Sequence, residues 1–312
     1  MRPILRTGDI SPRRAVGVVA VMLMAALPAC AETGSSASEP DVSIAASFYP
    51  LAYAAEQVGG ACVQVTNLTP PGTEPHDLEL TPDDVESIAT ADLVVYLGGG
   101  FQPAVQDAIE EAQGATLDLL AEVDTASPPP DEADEGLAVD PHVWLDPGLF
   151  ATAIPPLVDA MESAAPDAAC DFRANGAALI EELDGLDAEF VAGLADCEGT
   201  TLVTSHAAFG YLAAAYGLTQ AAISGLAPDT EPSPDRIADL VDLVHRDGVT
   251  TVFSEALVSP EVAQTLADEA GVQVEVLDTL EGLTPDEEDA GQDYGSVMRR
   301  NLETLRGGLD CR

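Results

Sequence analysis

The chain has 312 residues, enough for one or two domains, and 46% of them are apolar, enough for a sizeable core. Its formal charge is −44 and every basic residue is arginine, which excludes nucleic acid as a partner because phosphates would be repelled. The same excess of acid concentrates cations around the chain and fits a host living in high salt, where screening tames self-repulsion.

The N-terminus differs from the rest. Arg2, Arg6, Arg13 and Arg14 precede the apolar run "AVGVVAVMLMAALPAC" at residues 15–30, the pattern of an export signal over 1–29. Leu27, Ala29 and Cys30 resemble a bacterial lipobox, with Pro28 as an atypical member, so Cys30 is the expected lipid anchor. Residues 30–40 are small and polar and read as a flexible tether. No later apolar run approaches the ~20 residues of a spanning helix.

Strands and helices then alternate. "DVSIAASFYP" reads as a buried strand entering a turn, and "LAYAAEQVGG" as a helix stopped by Gly59–Gly60. "CVQVTNL" alternates like a strand and runs into a proline-rich turn carrying His76. "TPDDVESIATA" opens with helix-start residues, "DLVVYLG" is an apolar run suited to a parallel strand buried on both faces, and "AVQDAIEEA" is helical. Residues 125–137, "TASPPPDEADEGL", form an acidic, proline-rich loop before "DPHVWLDP", which holds His142 and the only tryptophan. Residues 149–165 read as helical despite Pro155–Pro156, and Asp167 to about Leu194 as one long amphipathic helix weakened by Gly176 and Gly185.

The last third repeats the style of the first. "TTLVTSH" is a strand ending at His206, "AAFGYLAAAYG" a helix, "SPDRIADLVDLVHRDG" a capped helix, "VTTVFSE" a strand ending at Glu255. "SPEVAQTLADEAG" is another capped helix, "VQVEVLD" a strand ending at Asp278, and the tail from about Tyr294 is helical. The expected fold is α/β: two similar lobes, each a mostly parallel sheet flanked by helices, joined by one long rigid helix. The expected boundaries are 41–166, 167–195 and 196–312. Lipidation of Cys30 leaves Cys62, Cys170, Cys197 and Cys311, which allow three disulfide pairings; a straight helix would hold Cys170 and Cys197 about 40 Å apart.

Three of only four histidines, with one or two carboxylates, thus lie beyond the carboxyl ends of strands or in turns, where ligands gather in open parallel sheets. They are far apart in the chain, so any site they form is assembled by tertiary structure. Imidazole nitrogen with carboxylate oxygen suits zinc in four-coordinate geometry and disfavours calcium and magnesium. Each residue taken singly is an ordinary polar loop residue.

The words "ASFYPL", "PPGTEPHDLELTPDD", "ADLVVYLGGG", "DPHVWLDP", "TSHAAFGYLAAAYG", "FSEALVSP" and "VLDTL", in this order, resemble the zinc/manganese solute-binding lipoproteins of bacterial ABC transporters, the cluster A-I binding proteins. The resemblance implies that His76, His142, His206 and Asp278 are metal ligands, with Glu255 replacing or supporting Asp278. It implies an extracytoplasmic, membrane-anchored monomer, not an enzyme, that serves an ABC permease and its ATPase. Three nitrogens and one carboxylate favour Zn2+ over Mn2+. Alternatives are a manganese or iron homologue, an adhesin or metallochaperone on the same scaffold, and, remotely, a zinc hydrolase using Glu255 as base. Members of the family carrying a histidine-rich loop differ from this chain, whose loop is acidic. His245 matches no family ligand. A stiff linking helix implies modest lobe tilts on release.

Overall fold

The computed structural model describes residues 42–126, 137, 139–228 and 231–312. The export signal, Cys30, the tether and residues 127–136 of the acidic loop lie outside the described residues.

The first sheet has β1 (Val42–Ala46), β2 (Val63–Asn67), β3 (Leu93–Tyr96) and β4 (Ala115–Asp118), all parallel in the order β2-β1-β3-β4. The second has β5 (Thr201–Thr204), β6 (Thr219–Ala222), β7 (Thr251–Ser254) and β8 (Gln273–Val276), parallel in the order β6-β5-β7-β8. In chain order the helices are α1 (Tyr49–Gly59), α2 (Pro82–Thr90), α3 (Pro103–Ala108), α4 (Pro147–Thr152), α5 (Ile154–Ala164), α6 (Phe172–Leu194), α7 (Gly210–Ala215), α8 (Pro234–Asp247), α9 (Glu261–Ala270), α10 (Pro285–Asp289) and α11 (Tyr294–Gly308). Parallel strands need crossovers, and α1, α2, α3, α7, α8 and α9 supply them. No helix among the described residues is long and apolar enough to cross a membrane.

Several starts and stops follow from local chemistry. Thr81 and Asp84 form a reciprocal capping box at α2, and Ser233 accepts the Arg236 N–H at α8, which ends on the left-handed Gly248. The proline pair at 155–156 does not sit inside one helix. The helix breaks at Ala153, and the prolines open α5, where their missing N–H groups cost nothing. Likewise α6 begins at Phe172 rather than Asp167, because Asp171 is its cap and accepts the Ala174 N–H at 3.0 Å. At α9 the expected cap differs: Pro260 holds the N-cap position and makes no side-chain cap bond.

The central strands β1, β3, β5 and β7 are buried on two faces, as their apolar runs require. Val94 faces a cluster with Ile88 and Val105, and Val203 and Val252 face Leu240 and Leu266. The inner faces join one larger core, which takes Ile44 and Val95 from the first sheet, Phe253 from the second, and Leu183, Leu186 and Phe190 from α6. α6 also packs on α1, α4, α5 and α11. The disulfides are Cys62–Cys170 and Cys197–Cys311, so each end of α6 is stapled to a different part of the chain.

The two α6 glycines are not equivalent. A Cβ on Gly176 would meet Val158 Cγ2 at 2.5 Å, whereas one on Gly185 meets nothing within 4 Å. Gly185→Ala is therefore expected to stabilise the fold by about 0.5–1 kcal/mol, and Gly176→Ala to destabilise it by forcing α5 off α6. Denaturant melts of both variants check this; equal shifts would contradict it.

Candidate metal centre

All four strands of each sheet point the same way, so each sheet presents one carboxyl edge. His76 lies in the turns after β2, His206 two residues after β5, Glu255 directly after β7, and Glu281 in the loop after β8. His142 comes from the long connection after β4, at the head of a 3-10 turn over Val143–Leu145. Side chains from both sheets' carboxyl edges thereby meet at one point. The ring centroids of His76, His142 and His206 lie 5.2–6.0 Å apart.

The centre is built from the Nε2 atoms and one carboxylate oxygen. Glu281 Oε1 stands 3.3 Å from His206 Nε2, 3.4 Å from His142 Nε2 and 3.6 Å from His76 Nε2. The Nε2 atoms of His142 and His206 are 3.3 Å apart. His142, His206 and Glu281 are buried, and the His76 side chain is only 7% exposed.

The other ring nitrogens of His142 and His206 are spoken for. Asp140 Oδ1 lies 2.8 Å from His142 Nδ1 and also accepts the His142 backbone N–H at 3.0 Å. Glu255 does the same for His206, with Oε2 at 2.6 Å from Nδ1 and Oε1 accepting the backbone N–H at 2.9 Å. A carboxylate at Nδ1 keeps the proton there and aims the Nε2 lone pair inward. His76 has a different support, the edge of Phe101 at a centroid distance of 4.7 Å.

Asp278, expected among the ligands, does not join the group. Its Oδ1 accepts the Leu280 N–H at 2.8 Å and its Oδ2 accepts from Arg300 at 3.0 Å. Glu281, three residues later, takes the place in the centre, because Leu280 has φ +53° and turns the chain between the two carboxylates. Glu255 stays outside the group of four as well and backs His206. His245 is on the exposed side of α8, with Nε2 3.1 Å from the Ala270 carbonyl. Glu281 and Asp140 were missed in the sequence. Their signals were faint: an acid inside the apolar run "DTLEGL", and an acid two residues before a histidine.

Without a metal the four groups share charge. Burial pulls His206 down, but the carboxylates of Glu255 and Glu281 outweigh it and hold the imidazole well above its ordinary value. Burial likewise opposes, and Asp140 and Glu281 reverse, the shift of His142, which is also raised. His76 is lowered by burial. Burial would raise Glu281, yet the neighbouring His206 charge and the imidazoles hold it well below the usual carboxylate range. Glu74, nearby, is pushed up to about 8 by burial and by the Glu281 charge.

These residues fit a zinc ion. A tetrahedron with bonds of about 2.0–2.1 Å has edges of about 3.3–3.4 Å. Three of the four separations given above fall at 3.3–3.4 Å, and the fourth, to His76, is 3.6 Å. His76 Nε2 and Glu281 Oε1 are buried with no hydrogen-bond partner among the described residues, a costly state for atoms that lack a ligand. Three nitrogens among four donors do not suit the oxygen-rich shells of calcium and magnesium.

Comparison with known proteins agrees. The chain is 38% identical over 289 residues to the zinc-binding protein AdcA of Streptococcus pyogenes, across 86% of this chain and 56% of that protein. It therefore spans little more than half the length of that relative. Against the high-affinity zinc uptake system protein ZnuA of Bacillus subtilis it is 33% identical over 300 residues, covering 92% of this chain and 94% of the other. The crystal structure of the Zn(II)-bound ZnuA-like domain of Streptococcus pneumoniae AdcA superposes with a TM-score of 0.73 at 36% identity, over 86% of this chain and 99% of that one. The family of the zinc-uptake complex component A, periplasmic, matches residues 44–308, and the chain belongs to it.

Proposed function

We propose that this protein captures a divalent transition metal outside the cytoplasm, zinc before manganese, on His76, His142, His206 and Glu281, and delivers it to an ABC transporter permease. The observation that carries this reading is the set of donor separations at tetrahedral edge length around two orphaned buried atoms. The zinc-uptake family and the zinc-binding relatives support the same cargo. The acidic surface favours cation encounter. A lipid on Cys30 would hold the domain near its permease; a pneumococcal relative, 36% identical, is named a lipoprotein. A zinc hydrolase is not favoured, since four protein donors close a tetrahedral shell and leave no position for water or substrate.

Elemental analysis of the purified protein, followed by competition titration of zinc against manganese, tests the proposal. One zinc per chain is expected. Zinc at about a thousandfold its Kd should stabilise the fold by about 4 kcal/mol, because it binds only the folded form. Absence of zinc, or no change in melting temperature on adding it, would overturn the proposal.

A further inference from the structure

The loop from Leu277 to Thr284 presents Glu281 to the imidazoles, and an unusual backbone holds it. Leu280 is a fully buried non-glycine residue with φ +53°. Such a conformation persists only where the surroundings over-determine it. The surroundings here are a set of bonds centred on Asp278. Its Oδ1 accepts the Leu280 N–H at 2.8 Å, which fixes the turn that swings Glu281 inward. Asn301 of α11 takes both backbone groups of Asp278, accepting its N–H at 2.9 Å and donating to its carbonyl at 2.7 Å. Arg300, next in α11, donates to Asp278 Oδ2 and also pairs with Glu287. Glu287 is the capping-box partner of Thr284, where the loop ends. One guanidinium thus grips both ends of the loop.

The same loop is tied to the segments that carry the other donors. The Trp144 indole N–H donates to the Thr279 carbonyl at 2.7 Å, two residues from His142. The Gly72 N–H donates to the Leu283 carbonyl at 2.8 Å, four residues before His76. Thr279 Oγ1 donates to Glu281 Oε2 at 3.0 Å, leaving Oε1 to face the centre.

We infer that Asp278 and Arg300 are positioning residues: they clamp the 277–284 loop so that Glu281, and not Asp278, stands as the fourth metal donor. The inference rests on the metal-capture reading and adds to it how the single carboxylate is selected. Asp278 acts through backbone and guanidinium and does not touch the cargo.

The test uses zinc affinity by chelator competition and the visible absorption of the Co2+-loaded protein, whose band intensity reports coordination number. Asp278→Ala is expected to weaken zinc by about tenfold or more, the usual scale for a group that supports a ligand. Arg300→Met should weaken it several-fold; the Arg300 side chain is 44% exposed, so this variant removes no core. Both should move the Co2+ spectrum toward that of Glu281→Ala. Asp278→Asn retains an oxygen for the Leu280 N–H but turns its amide N–H toward Arg300, so it should lose no more affinity than Arg300→Met. Adding Arg300→Met to Glu281→Ala should cost nothing further, since the clamp has lost what it positions. Parent-like affinity and spectrum in both Asp278→Ala and Arg300→Met would overturn the clamp. So would Asp278→Asn losing zinc as severely as Asp278→Ala, which would make Asp278 a ligand. Failure of the capture reading has a separate signature: His206→Ala would then bind zinc like the parent.

Discussion

Replacing His142 with alanine is expected to weaken zinc binding by at least about a hundredfold while the chain stays folded. Loss of a supporting partner around a metal ligand costs ~10–100-fold, and loss of the ligand itself costs more. His142 is fully buried, and its Nε2 stands 3.3 Å from His206 Nε2 and 3.4 Å from Glu281 Oε1, so no neighbouring side chain or bulk water replaces it without rearrangement. The fold should survive because the turn has its own supports. Trp144 is held to Thr279, and the Tyr294 hydroxyl donates to the Trp144 carbonyl at 2.6 Å. His245→Ala is the control, since that ring is far along α8 and exposed, and its zinc affinity should match the parent. The measurement is chelator competition, with circular dichroism to confirm folding. Unchanged affinity in a folded His142→Ala protein would remove the metal centre as described. Trp144 is the only tryptophan in the chain, and its ring lies 5.2 Å from that of His142. Its emission is therefore a built-in reporter for the titration of the parent protein.

The alternation of strand and helix patterns was readable in the sequence because each unit carries strong local signals: capped helix starts, glycine stops and apolar strand runs. β4 and β6 carried none. They are edge strands, "ATLD" and "TQAA", too small or too exposed to show an apolar run. The three histidines drew attention through their places after strands, and the structure gathers those same rings. The fourth donor could not be read that way. "VLDTLEG" offers two acids, and the choice between them depends on Leu280 adopting a conformation that leucine rarely takes. That conformation is held through Asp278 by Arg300 and Asn301 of α11, and no local pattern encodes it. Gly176 shows the same limit. Propensity marks it as a weakness in α6, whereas its reason is the approach of Val158 from a different helix.

Zinc affinity is expected to fall by about tenfold per pH unit, for one displaced proton, as pH drops below the raised value of His206. The sign follows from the metal-free centre. His206 is held well above its ordinary 6.5 because the carboxylates of Glu255 and Glu281 overcome the effect of burial. A histidine raised on folding stabilises the metal-free fold fully below about 6.5, and that stabilisation is lost as pH rises through the raised value. Glu281 is held well below its ordinary 4.5, so its contribution is present above about 4.5 and is lost as pH falls through the lowered value. The metal-free protein should therefore be most stable between about 4.5 and 6.5 and soften toward alkaline pH. Zinc has the opposite requirement, since it needs Nε2 free of its proton. In effect the ion replaces a proton carried by His206. The melting temperature gap between zinc-loaded and metal-free protein should widen from pH 6.5 to pH 8.5. Calorimetric titrations in buffers of different ionisation heat should show proton release at pH 7. Glu255→Gln sharpens the test: without that charge His206 loses its main upward influence, and the pH dependence should flatten toward neutrality. An affinity that stays level from pH 8 to pH 6.5 in the parent would mean that His206 is already neutral in the metal-free protein, and the proton-for-zinc exchange would have to be abandoned.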